Sequence, residues 1–153
     1  MSVTLTIDDQ TVTVPAGTTL WQAAKAAGID IPVLCHQERL NPVGVCRMCV
    51  VDAGERTLTA SCVRACQNGM QVQTASPLVQ QHRRMLTRLL LAEMGGETTS
   101  DVHDLGRQME LVNDSGCVTD PQLQLLRKTT PPKSNPVDVS SPVIAVNHAA
   151  CIL

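Results

Sequence analysis

Residues 31–62, IPVLCHQERLNPVGVCRMCVVDAGERTLTASC, carry the pattern that decides the fold of this chain. Four cysteines occur there at the spacing C-x10-C-x2-C-x12-C, and they are Cys35, Cys46, Cys49 and Cys62. The middle two are separated by only two residues, so they can bind neighbouring positions without a long loop. One close pair with two outlying cysteines predicts a site for a flat 2Fe-2S cluster, which takes two thiolates on each iron.

The residues beside these cysteines suit a cluster whose sulfurs accept hydrogen bonds from the backbone. Gly44 has no Cβ, so the chain can approach the cluster closely and adopt a positive φ there. Between the close pair, Arg47 is expected to be exposed and to face a partner, and Met48 to pack as shielding. His36 is expected to make a hydrogen bond near the cluster or to contact solvent. A Rieske-like role would need two histidine ligands, and four cysteines are already present.

Three other uses of the cysteines stay open. Structural zinc usually takes two short Cys pairs or a Cys pair with a His pair, and only one C-x2-C is present. A disulfide framework is typical of small secreted chains, but MSVTLTIDDQ shows no charged start with an apolar run, and seven cysteines is an odd number. Unrelated buried cysteines are the third alternative. The spacing favours iron and sulfide over all three.

The composition argues against several classes of function. The 153 residues include one Trp and no Phe or Tyr, with a net charge of −2 and no basic block, so a nucleic-acid partner is not expected. No apolar run approaches the roughly 20 residues of a membrane span. No nucleotide-binding glycine motif is visible, so the chain is not expected to be catalytic alone. A reducing compartment is expected, either the cytoplasm or a cytoplasmic position peripheral to a membrane complex.

The segments around the cysteines predict strands and one helix. Apolar residues alternate in VTLTIDDQTVTVP around an Asp-Asp-Gln turn, which indicates a hairpin. TLWQAAKAAG has helical spacing, with Thr18 or Thr19 as N-cap, Gly28 as the stop and Trp21 packed in the core. Short apolar runs between Val50 and Val72 are expected to close the sheet over the cluster. A hairpin followed by one helix suggests a β-grasp, in the α+β class.

Helices are predicted after Ser76. Pro77 suits a first helical position. The apolar stripe that follows consists of Leu78, Val79, Met85, Leu86, Leu89, Leu90 and Met94. The basic side chains of this helix are expected to face solvent; they are His82, Arg83, Arg84 and Arg88. The helix is expected to end at Gly95-Gly96, and a second amphipathic helix to contain His103. PQLQLLRK then predicts a short third helix.

The run from Val3 to about Met94 resembles a known family. The matching segments are IPVLCH, GVCRMCVV, the Ser-Cys at residues 61 and 62, NGMQVQT and HRRMLTRLLL. They are similar to the N-terminal 2Fe-2S ferredoxin-like domain of the iron–sulfur large subunit of NADH dehydrogenase complexes. Related subunits occur in NAD-linked hydrogenases and formate dehydrogenases. The resemblance implies a β-grasp whose cluster ligands are Cys35, Cys46, Cys49 and Cys62.

The chain departs from these relatives after the first helix of the C-terminal half. Many of them continue into a His and three cysteines that hold a 4Fe-4S cluster, but AEMGGETTSDVHDLGRQMELVND contains no cysteine, and Met94 stands about where the His would be. We therefore expect that second cluster to be absent. Cys117 is expected to be unliganded. Cys66 could replace a ligand, but the family match at Ser61-Cys62 favours Cys62, and Cys66 is expected to be a small buried residue.

Three segments are predicted. Residues 1–76 form the 2Fe-2S ferredoxin-like domain, 77–128 a small helical segment without the second cluster site, and 129–153 an extended arm rich in proline. The arm ends in VIAVNHAACIL, which resembles the start of a truncated 4Fe-4S module with Cys151 as first ligand. Whether Leu153 is the natural end, and whether Cys151 meets thiols from another chain, is open at this level.

The expected function is one-electron transfer through a single 2Fe-2S cluster. The resemblance implies a subunit or fragment of a larger NAD(P)-linked oxidoreductase. Its partners would be a flavin- or NAD-handling subunit and further iron–sulfur subunits. The alternatives are a free ferredoxin-like shuttle and a zinc-stabilised interaction module. A shuttle is expected to lack the apolar helices after Pro77. Donor, acceptor, potential and parent enzyme are not determined by the sequence.

Overall fold

The computed structural model describes residues 1–94, 100–129 and 137–147. The chain divides into two compact units, Met1–Arg83 and Arg84–Leu153, and one helix runs through the boundary. Three sequence predictions lie wholly or partly outside the described residues: the helix end at Gly95-Gly96, half of the proline-rich stretch 129–142, and Cys151. The predicted division into three segments stays a prediction.

The first unit opens with the predicted hairpin. Strand β1 (Ser2–Ile7) pairs antiparallel with β2 (Gln10–Pro15) in a register that sets Leu5 opposite Val12. Asp8 and Asp9 form the turn with φ of 45° and 68°, a left-handed conformation that Asp tolerates better than most residues. The Asp8 carboxylate accepts hydrogen bonds from the N–H (2.7 Å) and the hydroxyl of Thr74. The turn is therefore tied to a distant part of the unit.

Helix α1 (Leu20–Ala26) begins with a capping box, as the Thr at its start predicts. Thr19 Oγ1 accepts from the Gln22 N–H at 3.3 Å, and Gln22 Oε1 accepts from the Thr19 N–H at 3.0 Å. Gly28, with φ of 76°, follows the last turn. Trp21 is buried, and its indole N–H donates to the Ile31 carbonyl at 3.1 Å, so its predicted packing role is confirmed.

Three two-residue strands complete the unit. They are β3 (Val50–Val51), β4 (Thr59–Ala60) and β5 (Gln71–Val72). β5 adds to β1 in parallel, giving the order β2-β1-β5, so the predicted β-grasp is confirmed. The expectation that all the short runs close this sheet is wrong, because β3 and β4 pair with each other in a separate ladder. A bridge from Asp52 to Gln73 joins that ladder to the chain beyond β5.

Helix α2 (Pro77–Glu93) begins at the predicted proline, but the predicted apolar stripe is only partly right. Four of its five buried residues recur every four positions, namely Val79, Arg83, Thr87 and Leu91, and Ala92 is the fifth. Three residues of the predicted stripe are exposed instead, namely Leu78 (57%), Met85 (45%) and Leu89 (44%). The expected solvated basic face is also wrong at Arg83, which is 8% exposed, because polar partners accompany it into the interior.

The second unit contains the end of α2 and the two further helices that the sequence predicts. α3 (Asp101–Gln108) has Ser100 as N-cap and buries His103, and α4 (Pro121–Thr129) follows. The buried apolar residues of the second unit are Leu91, Ala92, Met94, Val102, Leu105, Leu111, Val112 and Leu123. Further along, an antiparallel bridge joins Asp138 to Val146.

Candidate metal centre

The cysteines lie on a loop that leaves α1 and on the short β3–β4 ladder. Ile31 anchors the start of the loop through the hydrogen bond from Trp21. Cys49 directly precedes β3, and Cys62 lies two residues after β4. Because Val50 pairs with Ala60, the ladder brings Cys49 opposite Ser61, the residue before Cys62. Cys49 and Cys62 are buried, whereas Cys35 and Cys46 are half-buried.

The four thiols form two contacting pairs. The side chains of Cys35 and Cys46 are hydrogen-bonded to each other, and so are those of Cys49 and Cys62. Cys62 also interacts electrostatically with Cys35 and Cys46, so the two pairs are close neighbours. The structure therefore brings together all four residues that the sequence singles out. Their role as ligands stays a prediction.

The two pairs differ in electrostatic environment. Burial opposes ionisation of Cys46, but N–H groups at Met48, Cys35 and Leu34 favour its thiolate, and the net effect lowers the pKa of Cys46. Burial and then the neighbouring Cys49 thiol raise the pKa of Cys62 to about 12, with further repulsion from Cys35 and Cys46. Four thiolates at these positions therefore need positive charge among them.

The four thiols match the number of ligands that a 2Fe-2S cluster takes. Within the described residues, no three His, Cys, Asp or Glu side chains are placed to hold one metal ion. A 2Fe-2S cluster instead needs two thiolates on each of two irons, which is the arrangement of the two pairs. None of the six described cysteines forms a disulfide.

The turn around the close pair has the backbone that the sequence predicts. Gly44 has φ of 68°, and a Cβ there would lie 3.2 Å from Val63 Cγ1. Arg47 also has a positive φ of 58° and is exposed, and its Nη2 donates to the Leu58 carbonyl at 3.0 Å. Met48 is fully buried. The predicted exposure of Arg47 and packing of Met48 are confirmed.

His36 lies in the interior rather than in solvent. It is 8% exposed, and its ring meets that of Trp21 edge-on with centroids 4.8 Å apart. Its Nδ1 is buried without a hydrogen-bond partner in the part of the chain that the structure describes. The predicted solvent contact is therefore wrong, because the ring packs on the core tryptophan. The alternative, a hydrogen bond near the cluster, stays a prediction.

Arg83 is the residue near this centre that the sequence reasoning missed. Its Nε donates to the Met48 carbonyl at 3.1 Å and its Nη2 to the Val50 carbonyl at 2.8 Å. These carbonyls lie on either side of Cys49. The only available signal was its position four residues after Val79 and four before Thr87, on the face that α2 buries.

Two further described cysteines, Cys66 and Cys117, belong to neither pair. Cys66 is buried, its N–H donates to the Thr18 carbonyl at 2.9 Å, and burial raises the pKa of its thiol. Its predicted burial is confirmed. Cys117 is exposed. That neither of them binds metal stays a prediction.

Comparison with known proteins identifies the first unit. A family model described as a 2Fe-2S iron-sulfur cluster binding domain matches residues 1–77, half of the chain. The chain belongs to that family. Its cofactor is a 2Fe-2S cluster, as the cysteine spacing predicts, and the 2Fe-2S domain coincides with the β-grasp.

Relatives of this 2Fe-2S domain occur in several oxidoreductases. An NADH-quinone oxidoreductase subunit of Rhizobium meliloti is 41% identical over 91 residues, 59% of this chain and 11% of that protein. An NADH-quinone oxidoreductase subunit of Streptomyces coelicolor is 34% identical over 156 aligned positions, covering 99% of this chain and 18% of that protein. The HndD subunit of an NADP-reducing hydrogenase from Solidesulfovibrio fructosivorans is 42% identical over 97 residues, 60% of this chain and 17% of that protein. The chain thus spans less than a fifth of these relatives.

The fold has a solved counterpart. A crystal structure of an NAD+-reducing NiFe-hydrogenase in the H2-reduced state matches with a TM-score of 0.76 and 31% identity, over 100% of this chain and 63% of that one. The family resemblance seen in the sequence is therefore confirmed. Across the described residues, no helix is both long enough and apolar enough to span a bilayer.

Proposed function

We propose that Cys35, Cys46, Cys49 and Cys62 hold one 2Fe-2S cluster, through which the chain passes single electrons inside a larger NAD(P)-linked oxidoreductase. The observation that carries this proposal is the arrangement of the four thiols as two hydrogen-bonded pairs within a domain of the 2Fe-2S family. When bound, the cluster supplies reversible one-electron chemistry.

The residues of the chain set the conditions for that chemistry. Cys35 and Cys46 would bind one iron, and Cys49 and Cys62 the other, because each pair is already in contact. The buried pair lies in the core cluster of the first unit, which also contains Leu20, Val51 and Ala60. The half-buried pair lies nearer the surface, so this side is where the redox centre of a partner can approach.

The names of the relatives support the proposed setting. They are subunits of NADH-quinone oxidoreductases and of an NADP-reducing hydrogenase, so a flavin- or NAD-handling subunit and further iron–sulfur subunits are the partners we propose. We also propose a cytoplasmic location, or one peripheral to a membrane complex on the cytoplasmic side. We propose as well that the chain lacks the 4Fe-4S cluster whose His ligand would stand at about the position of Met94.

Spectroscopy of the purified chain tests the function. After anaerobic purification, we expect about two irons and about two acid-labile sulfides per chain, visible absorption, and an EPR signal that appears on reduction with dithionite. A colourless chain that contains zinc and gives no EPR signal would reject the redox function and favour the zinc-stabilised module.

A further inference from the structure

We propose that Arg83 is a positioning residue for the cluster. It fixes the backbone on both sides of Cys49 and places a permanent positive charge beside that thiolate. This inference rests on the proposed function, because it concerns the ligand role of Cys49.

The first step is the geometry of the backbone around Cys49. The Met48 and Val50 carbonyls both accept from the one guanidinium of Arg83, at 3.1 and 2.8 Å. The intervening Cys49 carbonyl accepts from the Ser61 hydroxyl at 2.7 Å and from the Ser61 N–H at 3.2 Å. Three successive carbonyls therefore have fixed donors, and the path of the chain through Cys49 is determined.

The second step is the choice of side chain. A guanidinium is planar and holds several N–H donors in a rigid fork, so one side chain can bind two acceptors at once. An ammonium group carries the same charge at a single point and would bind these two carbonyls less well. The contact from α2 to both the Met48 and the Val50 carbonyl therefore requires arginine.

The third step concerns charge. Burial is the main cause that lowers the pKa of the Arg83 guanidinium, and attraction to Cys49, Asp30 and Asp8 only partly offsets it. The guanidinium binds the carbonyls of the two residues that flank Cys49, so the positive charge lies close to that residue. A cluster that accepts one electron gains one negative charge, so a fixed positive charge nearby favours the reduced state.

Two substitutions in the full chain separate the contact from the charge. Arg83→Lys keeps the charge but loses the two-point contact, and Arg83→Gln keeps one donor but loses the charge. Each would be titrated with dithionite under EPR detection, and the rate of cluster loss to a chelator would be followed by visible absorption. We expect both variants to lose the cluster about tenfold faster than the wild type. Only Arg83→Gln should make reduction of the cluster about tenfold less favourable. This corresponds to a reduction potential about 59 mV lower for one electron.

Arg56→Gln is the matched control, because Arg56 is exposed and the substitution removes the same charge. It should match the wild type in both measurements. The inference is overturned if Arg83→Gln has the wild-type potential, or if both Arg83 variants retain the cluster as long as the wild type does. If Arg83→Gln binds no cluster, helix content equal to that of cluster-free wild type supports the positioning role, and lost helix content rejects it. A wild-type chain without a 2Fe-2S signal would instead overturn the proposed function.

Discussion

The unit Met1–Arg83 and the unit that follows it bury ionisable groups in opposite ways. In the first, four thiols face one another, and the pKa of Cys62 rises to about 12 because burial and its neighbours oppose its ionisation. In the second, the buried carboxylate of Asp120 binds Arg88 through two contacts of 3.0 and 2.8 Å and Arg84 through one of 3.2 Å. The first unit disfavours ionisation of Cys62, whereas the second pairs its buried acid with its own cations.

This difference indicates which unit depends on a cofactor. Metal binding and folding are coupled where ligands must lose protons and converge. We therefore expect the first unit to need iron for full order, whereas the second should fold on its own side chains. Trp21 is the sole tryptophan and reports on the first unit, whereas most of the helical circular dichroism comes from α3, α4 and the end of α2 in the second.

Cys49→Ala should have the largest effect. It removes a buried thiol from the contacting Cys49–Cys62 pair, so the chain should lose its 2Fe-2S spectrum entirely, and Trp21 fluorescence should report a loosened first unit. The measurements are visible absorption, dithionite-reduced EPR and fluorescence.

Cys66→Ala is the matched control, because Cys66 is also buried but lies outside the two pairs. It should leave the spectrum largely intact. Loss of the cluster in the Cys66 variant, or its retention in the Cys49 variant, would show that the ligand set is wrong.

Asp120→Asn should have the next largest effect, and on the other unit. The Arg88 hydrogen bonds are the main cause that lowers the pKa of Asp120 from 3.8 to about 2, which corresponds to about 2 kcal/mol of stabilisation by the ionised form. The carboxylate also caps α4 by accepting from the Leu123 N–H at 2.9 Å. We expect the free energy of unfolding to fall by about 2–3 kcal/mol, as measured by urea unfolding followed by circular dichroism. The cluster spectrum should be unchanged.

Because the pKa of Asp120 is lowered in the folded chain, its contribution is fully present above about pH 4 and is lost as the pH falls toward 2. The difference between wild type and Asp120→Asn should shrink across that range. Asp104→Asn is the control, since the Asp104–Arg107 pair is mostly exposed and its loss should cost no more than about 1 kcal/mol. Equal losses in both variants would contradict the buried ion-pair explanation.

Gly44→Ala should have the smallest effect. A positive φ costs a residue with a Cβ about 1–2 kcal/mol, and here the methyl would also crowd Val63 at 3.2 Å. Gly28→Ala has a similar φ of 76° with no atom within 4 Å of the added Cβ, so it isolates the cost of φ. Urea unfolding followed by Trp21 should show the larger loss for Gly44→Ala. Equal losses would mean that Val63 moves aside without cost.

The local elements were largely predictable because their signals lie close together in sequence. The Asp-Asp turn, the Thr19 cap and the proline at the start of α2 each act over a few residues. The buried face of α2 was not predictable in the same way. Leucine at residue 78 and methionine at residue 85 look apolar enough for a core, yet they are exposed, whereas Arg83 is buried because carbonyls more than 30 residues away accept its hydrogen bonds.

The sequence by itself determined the kind of centre, because the number, chemistry and spacing of cysteines limit which cofactor can bind. It also determined the β-grasp elements, whose patterns are local. Only the tertiary structure decided how the thiols pair, which basic residues enter the interior, and which cations accompany the buried carboxylate. Those outcomes depend on contacts between residues far apart in the chain, such as the β3–β4 pairing that brings Cys49 opposite Ser61 and so close to Cys62.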